Sequence, residues 1–364
     1  MQSVDNRQEY LYLGHLLKPR PKGAQGEVPR PRERRQDHAH PSARATPPRT
    51  DAARDQDMCS PRQLHAPTRL AARIKASNPI VREALAEFLG TFVLIVFGCG
   101  SVAQVELSHH SAGETLTINL AFAFGVVMGA YLSWGISGAH LNPAVSFSMS
   151  LIGRFHWWKL PIFCLAQFLG AFTAAATVYG LYHEALMAFN GGNLTVTGPG
   201  ATAAIFATYP SEHLSIAGGF LDQVLGTALL LLCVMALLDP KNNAVPRGLE
   251  PLLVGLVVLV IGLSMGFNAG YAINPARDLG PRVFTAMVGY GSEVFTTGPH
   301  WWWVPVVAPL VGGPLGTMCY MFFVDLHHPA PPELSTGKAK PLVDSDSDHP
   351  KANYAVAVKM EQQA

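Results

Sequence analysis

Apolar residues gather along this chain into six long runs, at about 83–105, 115–135, 159–182, 219–238, 249–268 and 302–325. Each is close to the ~20 residues that a helix needs to cross about 30 Å of hydrocarbon. A buried helix of that length is unusual in a soluble protein, and six of them predict a polytopic helical membrane protein. Two shorter segments, "NPAVSFSMSLI" (142–152) and "NPARDLGPRVFTA" (274–286), begin on the same Asn-Pro-Ala tripeptide. At 1.5 Å per residue the first covers about 16 Å, half of the hydrocarbon. Asparagine is a good N-cap and proline suits the first helical turn, so each segment reads as a half-helix.

The runs also repeat one another. "AEFLGTFVLIVFG" (86–98) answers "DQVLGTALLLLCV" (222–234), and "WWKLPIFCLAQFLGAF" (157–172) answers "WWWVPVVAPLVGGPLG" (301–316). Each half therefore runs span, span, Asn-Pro-Ala segment, span. Three spans per half is an odd number, so the second half must be inserted upside down, an architecture found in transport proteins with broken helices. The two half-helices would enter from opposite faces and abut by their N-termini near the midplane. The approaches "GISGAH" and "GFNAGYA" are expected to be non-helical, which is tolerated at that depth only where backbone lines a wet cavity. Their carbonyls then become acceptors along a pore, with Asn142 and Asn274 and two positive helix ends at its midpoint.

Composition supports this reading: 49% of residues are hydrophobic and only 14% charged, against about a quarter charged in soluble domains. The net charge of +1 is unevenly spread. The proline-rich segment 1–79 carries an excess of Lys and Arg and too few large apolar side chains to bury a core. It is expected to be a disordered, basic cytosolic arm rather than a nucleic-acid tail. The channel region is expected over 80–326, followed by a disordered cytosolic tail at 327–364. Connections 106–114, 183–218 and 288–300 contain no Lys or Arg, whereas the alternate ones carry Arg154, Lys159, Lys241 and Arg247. Positive residues stay inside, which places both termini in the cytosol. Asn193-Leu194-Thr195 is a glycosylation sequon on the predicted outer side. The five cysteines follow no metal or disulfide spacing, and no nucleophile–base set suggests an enzyme.

"SGAHLNPAV", "GYAINPARD", "HWWWVP", "GGNLTVTGP", "IFATYP" and "PRGLEP" resemble the major intrinsic protein family, the aquaporins, and within it the aquaglyceroporin branch that holds aquaporins 3, 7, 9 and 10. The resemblance covers about 80–326. It implies an all-α membrane fold of six helices plus two re-entrant half-helices, assembled as a homotetramer in the plasma membrane with one pore per subunit. It also implies passive passage of glycerol, water and other small neutral solutes such as urea, without cofactor or metal, and with ions and protons excluded.

Counted from the two motifs (Asn142, Pro143, Ala144 and Asn274, Pro275, Ala276), Phe122, Gly262, Tyr271 and Arg277 fall at the family's selectivity constriction. Water-selective members have histidine at the Gly262 position. Glycine beside two aromatics leaves a wider, half-greasy opening. Glycerol has a C–H face and an O–H face: Phe122 and Tyr271 can meet the first, while Arg277 donates to the second. The backbone of Gly138, Ala139, His140, Gly270 and Ala272 is expected to line the pore, with the His140 side chain bracing its loop. Glu87 and Gln223 are expected to support the two re-entrant loops, Gln223 more softly because it is uncharged. Asp278 is expected to tie down the second loop. A secondary transporter would need a coupling-ion site, and Glu87, Arg277, Asp278 and Arg282 form no obvious ion cage.

Overall fold

The computed structural model describes residues 75–329 apart from 243 and 244. The disorder expected of the N-terminal arm and the C-terminal tail falls largely outside the described residues. In chain order, α1 (Pro79–Leu107) and α2 (Thr115–Ser137) precede a half-length α3 (Pro143–Leu151), then α4 (Leu160–Leu181) and a short α5 (His183–Phe189). The second half repeats the spans and the half-helix in the same order, with α6 (Ile216–Leu237), α7 (Glu250–Ala269), half-length α8 (Pro275–Thr285) and α10 (Val304–Phe323), but its short α9 (Glu293–His300) precedes the last span instead of following it. Six of these helices are long and apolar enough to cross a membrane. Large apolar side chains such as Leu85, Phe97, Leu165, Leu221 and Phe322 point outward, as a lipid-facing surface requires.

The helix ends follow local chemistry. Asn78 caps α1 by accepting from the Ile80 N–H, with Pro79 in the first turn, and Ser215 caps α6 by accepting from the Gly218 N–H. The approaches to the half-helices differ from the sequence expectation, because α2 and α7 run on through Ser137 and Ala269 before ending. Gly138 (φ +83°) and Gly270 (φ +68°) end them in the left-handed conformation, which costs a glycine little. The non-helical stretches are therefore shorter than "GISGAH" and "GFNAGYA" suggest.

Packing follows the repeat. In the first half α1 lies against α2 and α4; in the second, α6 lies against α7 and α10. The halves join through α2 against α7, and each half-helix packs on the last span of the other repeat, α3 on α10 and α8 on α4. Because lipid is as apolar as leucine, such contacts depend on close packing rather than on hydrophobic burial. Small residues make it possible: a Cβ on Gly129 would sit 2.5 Å from the Gly90 carbonyl oxygen where α1 crosses α2. Gly312 and Gly316 of α10 press in the same way on the backbone of α6.

The two faces are tied separately. On the face where α1 starts and α10 ends (the terminal face), Lys159 pairs with Glu83 at 2.8 Å. There Asp239 also accepts from Tyr320 at 2.8 Å, joining the ends of α6 and α10. On the opposite (distal) face the Asn268 amide donates to Asp222 at 3.0 Å and the Thr197 hydroxyl to Glu293 at 3.2 Å.

Candidate functional site

The two half-helices meet by their N-termini, and their caps are interlocked. Asn142 Oδ1 accepts from the Ala144 N–H at 2.8 Å, and Asn274 Oδ1 accepts from the N–H groups of Ala276 (3.0 Å) and Arg277 (3.3 Å). Pro143 and Pro275 occupy the first helical positions, where a missing N–H costs nothing. With each Oδ1 held, the amide nitrogens face the other repeat. Asn142 Nδ2 donates to the Ile273 carbonyl at 2.9 Å, and Asn274 Nδ2 donates to the Leu141 carbonyl at 2.8 Å. One N–H of each amide is used in this exchange, and the second remains for the cavity that both asparagines line.

The segments leading into the caps carry matched strain. Ala139 (φ +54°) and Leu141 (φ +52°) precede Asn142, and Tyr271 (φ +33°) and Ile273 (φ +41°) stand at the same offsets before Asn274. Left-handed backbone at every second residue turns successive carbonyls to one side, at a cost of about 1–3 kcal/mol per residue unless the surroundings enforce it. The surroundings do so in the first half. Glu87, fully buried, accepts from the backbone N–H groups of His140 (2.9 Å) and Leu141 (2.7 Å) and from the side chains of Ser137 and Gln167. The His140 ring contacts Ser146 at 3.0 Å and packs edge-on against Phe155. In the second half the equally buried Gln223 accepts from the Ile273 N–H at 3.1 Å and donates to Asp222.

Two cavities lie along this path. One, of about 310 Å³, runs from the terminal face to the centre. One of its walls is greasy, with Val126, Leu230, Val234 and Val258; the other holds Gly138, Ala139, His140 and Ala272. The second cavity, of about 200 Å³, opens on the distal face and is lined by Gly270, Asn119, Ala207 and Thr208. Phe122, Tyr271 and Arg277 belong to both linings, so they form the waist between the cavities.

The waist is braced on every side. The Phe122 and Tyr271 rings meet edge to face with centroids 6.2 Å apart, and the Arg277 guanidinium lies 4.7 Å over the Phe122 ring. Arg277 also donates to the Phe206 carbonyl at 3.2 Å. Tyr271 donates its hydroxyl proton to Asn119 Oδ1 at 2.7 Å. Gly262 has an indirect place: it lines neither cavity and sits behind Tyr271. A Cβ there would stand 2.7 Å from Tyr271 Cζ and 2.9 Å from Asn119 Oδ1. Its missing side chain makes the bay that receives the tyrosine ring. Gly98 does the same for Phe122 on the opposite wall.

Asp278, on half-helix α8, joins the second re-entrant segment to the distal connection. Its Oδ2 accepts from the Thr208 backbone N–H at 2.7 Å and from the Thr208 hydroxyl, and its Oδ1 accepts from Arg282 Nε at 2.8 Å. Both members of the Asp278–Arg282 pair are wholly buried, and Arg282 reaches the carbonyls of Thr208 and Val294 as well. Breaking a buried pair from one side leaves an uncompensated charge and typically costs about 3–5 kcal/mol. Asp278→Ala should therefore strip the protein of most of its thermal stability in detergent. Asp278→Leu combined with Arg282→Met should recover part of it, as read by the temperature at which monodisperse protein is lost. A single variant as stable as wild type would refute this.

Asn119, Gly98, Gln167, Thr208 and the carbonyls of Phe206, Leu141 and Ile273 are the contributors that sequence reasoning missed. Asn193 is exposed on the distal face, in the connection between α5 and α6.

Three comparisons bear on this arrangement. The sequence profile of the family described as "Major intrinsic protein" matches residues 74–320. The chain is similar to aquaporin-9 of Mus musculus, 51% identical over 281 residues, covering 77% of this chain and 94% of that one. It is also similar to aquaporin-10 of Homo sapiens, 52% identical over 268 residues, with 74% and 89% covered. Among solved structures, the aquaglyceroporin of Plasmodium falciparum matches with a TM-score of 0.60 at 36% identity, over 66% of this chain and 95% of that chain.

Proposed function

The chain belongs to the major intrinsic protein family, and from that premise we propose a passive channel for glycerol and water that also admits small neutral solutes such as urea. It is not an enzyme. The observation that carries the reading is the waist of Phe122, Tyr271 and Arg277 shared by two cavities from opposite faces. A polyol crossing it turns its C–H side to the two rings. Its hydroxyls meet Arg277, which has N–H groups to spare beyond the one held by Phe206. Past the waist the hydroxyls exchange water for the carbonyl wall and for the free N–H of Asn142 and Asn274. The opposite, greasy wall accepts the carbon backbone, so a solute with one polar and one apolar side loses little on leaving water.

The same parts exclude charge. Arg277 and the two half-helix N-termini make the centre of the path positive, which opposes cations and hydronium. Water passing the two asparagines accepts from both amides, so it can only donate onward, and a proton relay cannot run through it.

The reading extends to setting. The basic residues Arg154, Lys159, Lys241 and Arg247 fall in the connections of the terminal face, which supports cytosolic termini for a channel that we assign to the plasma membrane. Asn193 then lies outside, where its sequon can carry a glycan. Segment 1–79 and tail 327–364 are cytosolic extensions of the channel region 80–326, and the assembled form is a homotetramer. No cofactor or nucleic acid is required.

The test is stopped-flow light scattering of proteoliposomes under water, glycerol and urea gradients. Glycerol and water should both equilibrate far faster than in protein-free vesicles, with no conductance to small ions. Water flux without glycerol flux would overturn the glycerol reading.

A further inference from the structure

Asn119 is a polar residue almost wholly buried in an apolar span, and the passage of solute described above gives it no role. It stands one helical turn before Phe122 on α2, so both side chains project from the same side of that helix. Its Oδ1 accepts the hydroxyl proton of Tyr271 at 2.7 Å, across more than a hundred residues of sequence. Its side chain also lines the distal cavity just above the waist.

We propose that Asn119 is a specificity-determining positioning residue, which fixes the width and polarity of the waist by holding the Tyr271 hydroxyl. This rests on the channel reading above and names a part of the filter outside the residues that meet the solute at the waist.

Three observations support it. First, Tyr271 sits on strained backbone at φ +33°, on a loop whose Gln223 support holds the next residue but one, Ile273, and not Tyr271 itself. Among the described residues, its hydroxyl is tethered by the bond to Asn119. Second, the ring rests in the bay left by Gly262, and the same Asn119 oxygen closes the end of that bay. Removing the tether frees the ring to swing about its χ1 from the bay into the path. Third, the bond consumes the only proton the phenol can donate. The waist therefore presents Tyr271 as a ring edge with an acceptor oxygen, and Arg277 remains the strong donor there. An untethered phenol would offer a second donor and hold water or a hydroxyl at the narrowest point.

A small solute and a large one feel this differently. Water passes a partly obstructed waist more readily than glycerol, which needs the full opening and both aromatic contacts. Loss of the tether should therefore lower the glycerol-to-water permeability ratio rather than total flux.

The experiment compares wild type, Asn119→Leu, Tyr271→Phe and the double variant in proteoliposomes, with flux normalised to protein incorporated as folded. Leucine keeps the shape of asparagine and removes the acceptor; phenylalanine removes the donor from the other side. Asn119→Leu should lower the glycerol-to-water ratio about fivefold, the equilibrium weight of one net hydrogen bond. Tyr271→Phe should lower it in the same direction, and the double variant should fall no further than the stronger single. That non-additivity is the signature of a shared bond, and a role in bulk packing alone would not produce it. A wild type that conducts water but no glycerol overturns the channel reading and this inference with it. A conducting wild type whose ratio is unchanged in both single variants, or whose effects simply add in the double variant, overturns this inference alone. Should Asn119→Leu fail to fold, Tyr271→Phe still decides: an unchanged ratio there refutes the tether.

Discussion

Gly262→His should nearly close this channel to glycerol while leaving much of its water flux. The reason differs from simple filling of an open lumen. The Cβ alone would stand 2.7 Å from Tyr271 Cζ and 2.9 Å from Asn119 Oδ1, closer than side-chain atoms tolerate. The tyrosine ring must leave its bay, and open space borders it along the path, at the waist that it shares with Phe122 and Arg277. Two side chains, a displaced phenol and an imidazole, then share space that one ring occupied. Overpacking of this kind costs about 2 kcal/mol, which as an added barrier slows passage by roughly thirtyfold. Glycerol meets that barrier in full, since it needs both the width and the flat apolar contact. Water needs neither, and the imidazole offers it a new hydrogen-bonding partner. The measurement is paired glycerol and water permeability with surface expression matched to wild type. Equal loss of both would remove Gly262 from any role in selection.

Much of this architecture is legible in the sequence, because lipid imposes few solutions. A span must be apolar for about twenty residues, and a segment half that long beginning on Asn-Pro can only be a capped half-helix. The helix ends within the re-entrant segments were less legible. "GISGAH" and "GFNAGYA" hold two glycines each, and nothing in their composition says that Gly138 and Gly270, rather than Gly135 and Gly266, take the left-handed cap. That choice depends on the buried Glu87 and Gln223, which hold the following residues.

The site divides the same way. Residues whose place follows from spacing along one motif, such as Asn142, Asn274, Tyr271 and Arg277, could be located by counting. Those whose place depends on another element could not: Phe206 and Thr208 come from a distal connection with no periodic pattern, and they reach Arg277 and Asp278 only in the folded chain. Asn119 did leave a signal. An asparagine among "TLTINLAFAF", inside a membrane span, needs a partner, and its offset from Phe122 points it at the waist. Gly262 carried the opposite lesson. A missing side chain reads as open space in a sequence, whereas here the space is occupied by the ring of Tyr271.

Arg277→Val should turn a neutral-solute channel into one that leaks cations. The guanidinium is almost fully buried at the waist, with one N–H on the Phe206 carbonyl and its plane over Phe122. No acidic side chain is paired with it among the described residues; Asp278, its neighbour in sequence, is engaged by Arg282 and Thr208. Its charge therefore acts on the path largely uncancelled. A monovalent cation about 5 Å away is repelled by roughly 3 kcal/mol at an effective dielectric of about 20, worth somewhat over a hundredfold in rate. Valine removes that barrier and widens the waist by the volume of the guanidinium. It also leaves the Phe206 carbonyl facing the path without its donor, a site that attracts cations. The half-helix dipoles and the two asparagines remain, so proton exclusion should weaken less than cation exclusion. Glycerol should lose its strongest hydroxyl donor at the waist, lowering selection for glycerol over similarly sized apolar-faced solutes. Two readouts test this together: conductance of the variant in planar bilayers or oocytes bathed in sodium or potassium, and the glycerol-to-water ratio in vesicles. A variant that reaches the membrane, carries no cation current and keeps the wild-type ratio would show that the positive charge excluding ions lies elsewhere, with the opposed half-helix ends as the remaining source.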